Sequence, residues 1–439
     1  MKITPLFFRP AALLALLTAP LVLAAPLKFS FGTGAVASGA TLVAPDTTYS
    51  AARSFGFEPG AAITATADGV ASERPFYFSA KLPAEGNYRV TLTFPGGADV
   101  TVKAELRRLM IERFQVPAGQ SATRTFIVNT RTPQIAATGD IKEGVVKLKA
   151  PRESVQEAWA WDDALTLEFN GAHPAVRSIT IEPVTVPTVY LIGDSTVCDQ
   201  SKEPFNSWGQ MLPRWFKPEI AIANHAESGE TYRDSIGRRR LDKMLSVMKP
   251  GDWMIMQFGH NDQKQIAAGN GGPFTTYKAE IKKHVDTIRA HNGTPIIVSP
   301  MERRNFDEHA KIKPSLADYA EASRQAAKEL GVAFIDLNAL SIPFYEALEA
   351  HGAEYSRHAF AGQDNTHHQN YGSYELSKAI VQSIRDQKLP LAKFIIDDFP
   401  GFDPAHPDEV EKFSVPPSPN FTNQRPLGDE TAPVPTPAK

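Results

Sequence analysis

The chain has 439 residues, with 46 Lys and Arg against 49 Asp and Glu, for a formal net charge of −3. Domains run to about 100–200 residues, so two or three folded units are expected. A hydrophobic share of 42% and a charged share of 22% fit a globular chain, and the balanced charge offers no basic stripe to a nucleic-acid partner. Cys198 is the single cysteine, which excludes an intramolecular disulfide and leaves burial to hold the fold. With no base beside it in sequence, Cys198 reads as a small buried residue.

At the N-terminus, Lys2 and Arg9 flank the start of an apolar run over 11–23 that ends in Val22-Leu23-Ala24. A positive start, a short apolar middle and small residues at the end predict a signal peptide over 1–24. The run is shorter than the ~20 residues of a spanning helix. No later segment is long and apolar enough to cross a bilayer. The mature chain is therefore expected to be exported, periplasmic or extracellular, without a membrane span.

From 25 to 186 the hydrophobic pattern has period two. Tyr88, Val90, Leu92 and Phe94 alternate with Arg89, Thr91 and Thr93, and Pro95-Gly96-Gly97 follow as a turn. Val100, Val102 and Ala104 repeat the pattern, as do Leu165, Leu167 and Phe169, then Ile179 and Ile181. Short alternating strands without long helices between them predict a β-sandwich. Within it, Trp159 and Trp161 are candidates for stacking on a sugar, with core packing as the equal alternative.

From 187 to 392 the pattern changes. Short apolar runs at 189–192, 220–223, 253–258, 295–298 and 333–337 alternate with helical stretches. Tyr277, Ile281, Val285 and Ile288 share one helical face, as do Leu316, Ala320, Ser323, Ala327 and Leu330, with Gly331 at the C-cap position. A last helix is expected near 373–387, carrying Leu376, Ile380 and Ile384. Buried strands alternating with helices predict an α/β domain with a parallel sheet and right-handed crossovers. The segment 393–439 is rich in proline and charge and is expected to be an extended tail with little to bury.

Ligands of such sheets bind beyond the carboxyl ends of the strands. After the first run comes Gly193-Asp194-Ser195-Thr196; after the second, Asn224 and Ser228-Gly229; after the third, Gly259-His260-Asn261-Asp262. Each alone reads as an ordinary turn or cap. Near the end of the domain, Asp364 stands three residues before His367, with His368 following. Such an aspartate can hold the imidazole tautomer that takes a proton from a serine. The alternatives for His367 and His368 are a solvent-facing loop or a metal pair; a metal pair would need a third ligand, and no H-E-x-x-H or spaced Cys/His cluster supplies one. No metal or organic cofactor is expected.

Taken together and in this order, these residues resemble the GDSL or SGNH hydrolase superfamily, whose four letters fall on Ser195, Gly229, Asn261 and His367. The match covers roughly 188–389. Within the superfamily the chain looks most like the rhamnogalacturonan acetylesterases. The stretches Ile192-Gly193-Asp194-Ser195-Thr196, Trp208-Gly209-Gln210-Met211-Leu212-Pro213 and Phe258-Gly259-His260-Asn261-Asp262 carry that likeness. Asp364-x-x-His367 followed by Gly372, and Ser299-Pro300 with Arg303-Arg304-x-Phe306, add to it. One turn departs from the family: Ser228-Gly229-Glu230-Thr231 stands where a Gly-Gly-Arg-Ser type is usual, which alters the expected cleft wall.

The resemblance implies a flavodoxin-like three-layer domain and a serine ester hydrolase. Ser195 would be the nucleophile, His367 the base and Asp364 its orienting acid. The N–H groups of Ser195 and Gly229 and the Asn261 amide would form the oxyanion hole, and Asp194 would buttress the serine loop. The G-x-S-x-G elbow of the other large serine esterase fold is absent. The implied substrate is an acetylated pectic polysaccharide, for whose uronate groups Arg303 and Arg304 are candidate binders; the alternative for both is a salt bridge. The β-rich region looks similar to galactose-binding-like modules. Two other readings stay open: a lipid or short-chain acyl esterase of the same superfamily, and a non-catalytic glycan-binding protein.

Overall fold

The computed structural model describes residues 25–420. The expected signal peptide and the last part of the tail lie outside the described residues.

Residues 27–183 build two five-stranded sheets. One runs Ala122–Thr130, Gly86–Phe94, Ser178–Pro183, Leu27–Phe31, Thr41–Val43, antiparallel except for its last pair. The other runs Phe55–Phe57, Phe76–Lys81, Ala164–His173, Asp99–Ala104, Arg108–Gln115, antiparallel throughout. Their shared core contains the alternating residues Tyr88, Val90, Leu92 and Phe94 and a cluster of phenylalanines. Phe31, Phe57 and Phe76 all pack around Phe78 or one another with ring centroids 5.3 to 5.9 Å apart, mostly edge to face. That geometry suits the ring quadrupole and fills the space between two sheets.

Alternation fails along parts of several strands, and in two of them the reason lies far along the chain. In Asp99–Ala104 and in residues 164–170 both faces are buried, including Lys103 and Glu168. What covers the second face is the C-terminal segment, expected to have little to bury. Lys103 donates to the Pro416 carbonyl (2.7 Å) and to Ser418 Oγ (2.8 Å), and Ser418 Oγ donates to Glu168 (2.8 Å). Earlier in the same segment Ile395, Phe399 and Val415 join the core of the second domain. Its prolines suit an extended chain, and its contacts come from partners distant in sequence that a local pattern cannot display.

The second domain carries a five-stranded parallel sheet in the order Ala221–Asn224, Thr188–Gly193, Trp253–Gln257, Thr294–Val298, Ala333–Ile335. Its strand residues divide by parity. Val189, Leu191, Ile255, Ile296 and Val298 face a core shared with helices Leu337–Glu349 and Asn370–Asp386. Tyr190, Ile192, Met254, Met256 and Ile297 face helices Lys278–Ala290 and Ala317–Leu330. Every strand is thus apolar on both sides, and three layers result. Both expected helical faces are present, and Gly331 ends its helix in the left-handed conformation (φ 59°). The expected strand 333–337 is shorter: Asp336 caps the Leu337–Glu349 helix by accepting from the Ala339 N–H (3.1 Å). The strand order reverses beside Thr188–Gly193, and such a reversal opens a crevice at the carboxyl ends of the adjacent strands.

Candidate active site

Ser195 lies immediately beyond the strand Thr188–Gly193, in a turn bonded from within. Asp194 Oδ1 accepts from the Thr196 N–H (3.0 Å) and hydroxyl (2.7 Å), and the Asp194 carbonyl accepts from the N–H of Val197 and Cys198 (both 3.0 Å). Thr196 Oγ1 in turn accepts from Gln257, which accepts from the Trp208 indole N–H (2.7 Å). Asp194 therefore buttresses the serine turn, as expected.

Asp364 and His367 lie within one tight turn. Asp364 Oδ1 accepts from the backbone N–H of Thr366 (2.7 Å) and His367 (3.0 Å), and its Oδ2 lies 2.9 Å from His367 Nδ1. With Nδ1–H given to the carboxylate, Nε2 carries the lone pair. It faces Ser195 Oγ at 2.9 Å. All three side chains are buried. Burial opposes ionisation of Asp364, but the His367 hydrogen bond and charge, with the two backbone N–H groups, hold its carboxyl well below the usual range. The Phe205 ring stands edge-on to the imidazole, 5.8 Å away. Gly372 is required by packing: a Cβ there would lie 2.1 Å from the Ala359 carbonyl oxygen, so only glycine lets the last helix approach the turn before His367.

The second loop is bonded to the serine turn, with Cys198 Sγ 3.3 Å from Ser228 Oγ, and the third loop is bonded to the second. Gly229 has φ 72°, a conformation that favours glycine. Asn261 is buried, and one of its two amide hydrogens goes to the Glu230 carbonyl (3.2 Å). Gln200 donates to the Ser195 carbonyl (2.8 Å). Ser195, Gly229, Asn261, Asp364 and His367 thus come from four separate loops to one end of the sheet.

Arg304, Arg303 and His368 each have partners of their own. Arg304 is buried and committed elsewhere: it pairs with Glu349 (3.0 Å), donates to Ser356 Oγ (2.8 Å) and to the Ala353 carbonyl (2.7 Å), and lies over the Phe306 ring. The salt-bridge alternative describes it. Arg303 is half-buried and donates to Ser315 Oγ (3.1 Å) and the His260 carbonyl (3.4 Å). His368 is stacked on Tyr345, whose hydroxyl lies 2.7 Å from its Nε2, and burial pushes its pKa down to about 3. Among the described residues no group of three His, Cys, Asp or Glu is placed to hold a metal.

The altered turn has a buried explanation. Glu230 does not line a cleft wall; it is fully buried, with Arg238 (3.1 Å), Lys149 (3.3 Å) and Arg240 (3.6 Å) around it. Lys149 also donates to the Ser228 carbonyl. Arg152 donates to Ser228 Oγ (2.6 Å) and pairs with Glu157 (2.7 Å) and Glu227 (3.1 Å). Residues 149–157, which follow most of the sandwich strands, therefore hold the loop that contains Gly229. Sequence reasoning missed them because their partners lie some 70 to 80 positions away. The only trace was the turn's departure from the family pattern.

A serine hydroxyl on an imidazole on a buried aspartate, at the carboxyl end of a parallel sheet, is the arrangement of a serine hydrolase. The GDSL-like lipase/acylhydrolase family model matches residues 191–376. Rhamnogalacturonan acetylesterase RhgT of Bacillus subtilis is 32% identical over 223 residues, 47% of this chain and 94% of that protein. The chain belongs to the GDSL-like lipase/acylhydrolase family and is a carboxylic ester hydrolase. The uncharacterized esterase YxiM of Bacillus subtilis is 27% identical over 82% of this chain and 91% of its own length. A solved Bacillus subtilis structure under the name YXIM_BACsu covers 83% of this chain and 99% of its own, with 22% identity and a TM-score of 0.45.

Proposed function

We propose that the protein is an exported acetylesterase that removes acetyl groups from pectic rhamnogalacturonan. The observation that carries the chemistry is the relay from Ser195 Oγ to His367 Nε2 (2.9 Å) and from His367 Nδ1 to Asp364 (2.9 Å). In this reading the Ser195 oxygen attacks the acetyl carbonyl carbon while Nε2 takes the hydroxyl proton. The carbonyl oxygen becomes an oxyanion, met by the N–H groups of Ser195 and Gly229 and by the second amide hydrogen of Asn261. His367 then protonates the departing sugar oxygen. Water, activated by the same imidazole, attacks the acetyl-serine and releases acetate, so ester and water are the only reactants needed.

The substrate class is supported by the name of the RhgT relative, over 94% of whose length this chain aligns. We read the two-sheet region, about 25–186, as a galactose-binding-like module and 187–392 as the esterase domain. Export is read from the apolar run over 11–23 and the small residues after it.

The test is acetate release from acetylated rhamnogalacturonan, acetylated xylan and a long-chain lipid ester compared at equal enzyme, with Ser195→Ala as control. Fastest release from rhamnogalacturonan, absent in the variant, is expected. A rate that rises with acyl length would make the protein lipolytic, and no hydrolysis of any ester would leave a glycan binder.

A further inference from the structure

The two tryptophans of the segment after the sandwich strands have separate fates. Trp161 is core: it is buried, its indole N–H donates to Glu153 (3.0 Å), and Arg131 lies over its ring at 4.3 Å. Trp159, on the short 3-10 turn Ala158–Ala160, is half-buried and packs against Tyr77 with centroids 5.4 Å apart and planes at 49°. It lines a cleft of about 280 Å³ between the two domains, together with Tyr77, Glu105, Arg107, Gln156 and Ser201. That volume lies just below the range of about 300–1,000 Å³ for ligand pockets and suits one sugar ring rather than a chain.

We infer that this cleft is a subsite for one pyranose unit of the polysaccharide, stacked on Trp159 and placed beside the catalytic loop. The inference rests on the polysaccharide reading above. Three observations carry it.

The first is position. Ser201 belongs to the loop that begins at Ser195 and ends at Phe205, whose ring meets His367. The opposite wall, residues 155–159, continues directly from Arg152, which holds Ser228. The cleft thus lies between two segments that both touch the active-site loops.

The second is chemistry. A half-exposed aromatic face with polar groups around it matches the alternating apolar and hydroxyl surfaces of a sugar. Arg107 is buried, and its Nη groups are taken by the carbonyls of Gln200 (3.1 Å) and Phe205 (2.8 Å) and by Glu203 (2.5 Å), while its Nε has no hydrogen-bond partner among the described residues. Burial pushes the Glu105 carboxyl up to about 8, so near neutral pH it is an uncharged acid that can donate to a hydroxyl and does not repel a uronate.

The third is exposure. Val155 stands on the cleft wall with 68% of its surface in solvent, one of few large apolar side chains so exposed among the described residues.

The test uses the full-length chain. In a Ser195→Ala background, titration with a de-esterified rhamnogalacturonan oligosaccharide, followed by calorimetry, is expected to show binding that Trp159→Ala weakens about tenfold. In the active enzyme, Trp159→Ala is expected to lower kcat/KM for the acetylated oligosaccharide about tenfold relative to kcat/KM for p-nitrophenyl acetate. Gln156→Ala, a surface change that spares packing, should shift the same ratio in the same direction. Equal binding by the Ser195→Ala protein with and without Trp159 overturns the subsite, as does a parallel fall on both esters. Failure of the wild type to deacetylate any polysaccharide, with p-nitrophenyl acetate still cleaved, overturns instead the substrate reading on which the subsite rests.

Discussion

Asp364 accepts two backbone N–H bonds and one from His367, and this keeps it ionised far into the acid range. An acid limb in kcat/KM is therefore expected to report protonation of His367, not of Asp364. Asp364→Asn is expected to keep the turn yet lower kcat by about 10³–10⁴, because an amide can present N–H to Nδ1 and favour the wrong tautomer; a loss below tenfold would show that Asp364 does not orient the imidazole. Asn261→Ala is expected to cut kcat by about 10²–10³ with KM nearly unchanged, as losing one oxyanion donor does; a raised KM at normal kcat would make Asn261 a substrate contact. Glu105 supplies a pH test of stability. Its folded value of about 8, raised by burial, stands above the ordinary 4.5. Below the ordinary value both states are protonated and the shift contributes nothing. Between the two values the unfolded chain ionises and the native one does not, so stability falls as pH rises. Glu105→Gln is expected to raise Tm at pH 8 and leave it unchanged at pH 4, and equal shifts at both would refute the buried-acid assignment.

At the scale of elements, the 149–157 segment and the C-terminal strap act on parts of the chain far from them. Arg152→Lys keeps a cation but loses the planar fork that reaches Ser228, Glu157 and Glu227 together. It is expected to lower kcat about tenfold with KM and fold retained, because the Gly229 loop loosens where only the transition state feels it; unchanged kcat would make Arg152 purely structural. Ser418→Ala removes one hydroxyl between Lys103 and Glu168. It is expected to cost about 1–3 kcal/mol in denaturant unfolding, and a neutral result would show that the strap does not seal the second face of the sheet. Helices with clean periodicity, such as Lys278–Ala290, were legible because their apolar face repeats locally. Leu337–Glu349 was not, since its apolar start reads on from the strand and Pro343 interrupts its pattern.

For the whole molecule, the seam between sandwich and esterase domain is built from buried charge. Arg108 pairs with Asp199 (2.8 Å), Arg107 with Glu203 (2.5 Å) and Arg240 with Glu153 (2.5 Å), each nearly solvent-free. Removing one partner of such a pair leaves an uncompensated buried charge. The two domains are therefore expected to unfold in one transition by calorimetry, and a fragment of residues 187–420 alone to be poorly folded; two separable transitions would refute that coupling. The sequence by itself determined what depends on neighbours: the alternating and helical periods, the parallel sheet between two helical layers, and the loop positions of Ser195, Gly229, Asn261, Asp364 and His367 after buried runs. These follow because burial imposes its period residue by residue and because a strand's carboxyl end is where a side chain can reach a crevice. Only the tertiary structure decided which charges meet across distance. It put Arg304 on Glu349, Glu230 among three cations, Lys103 under Ser418, and Trp159 in a cleft while Trp161 went to the core. A buried ion pair is set by where the chain brings two elements together, and no local pattern of residues encodes that meeting.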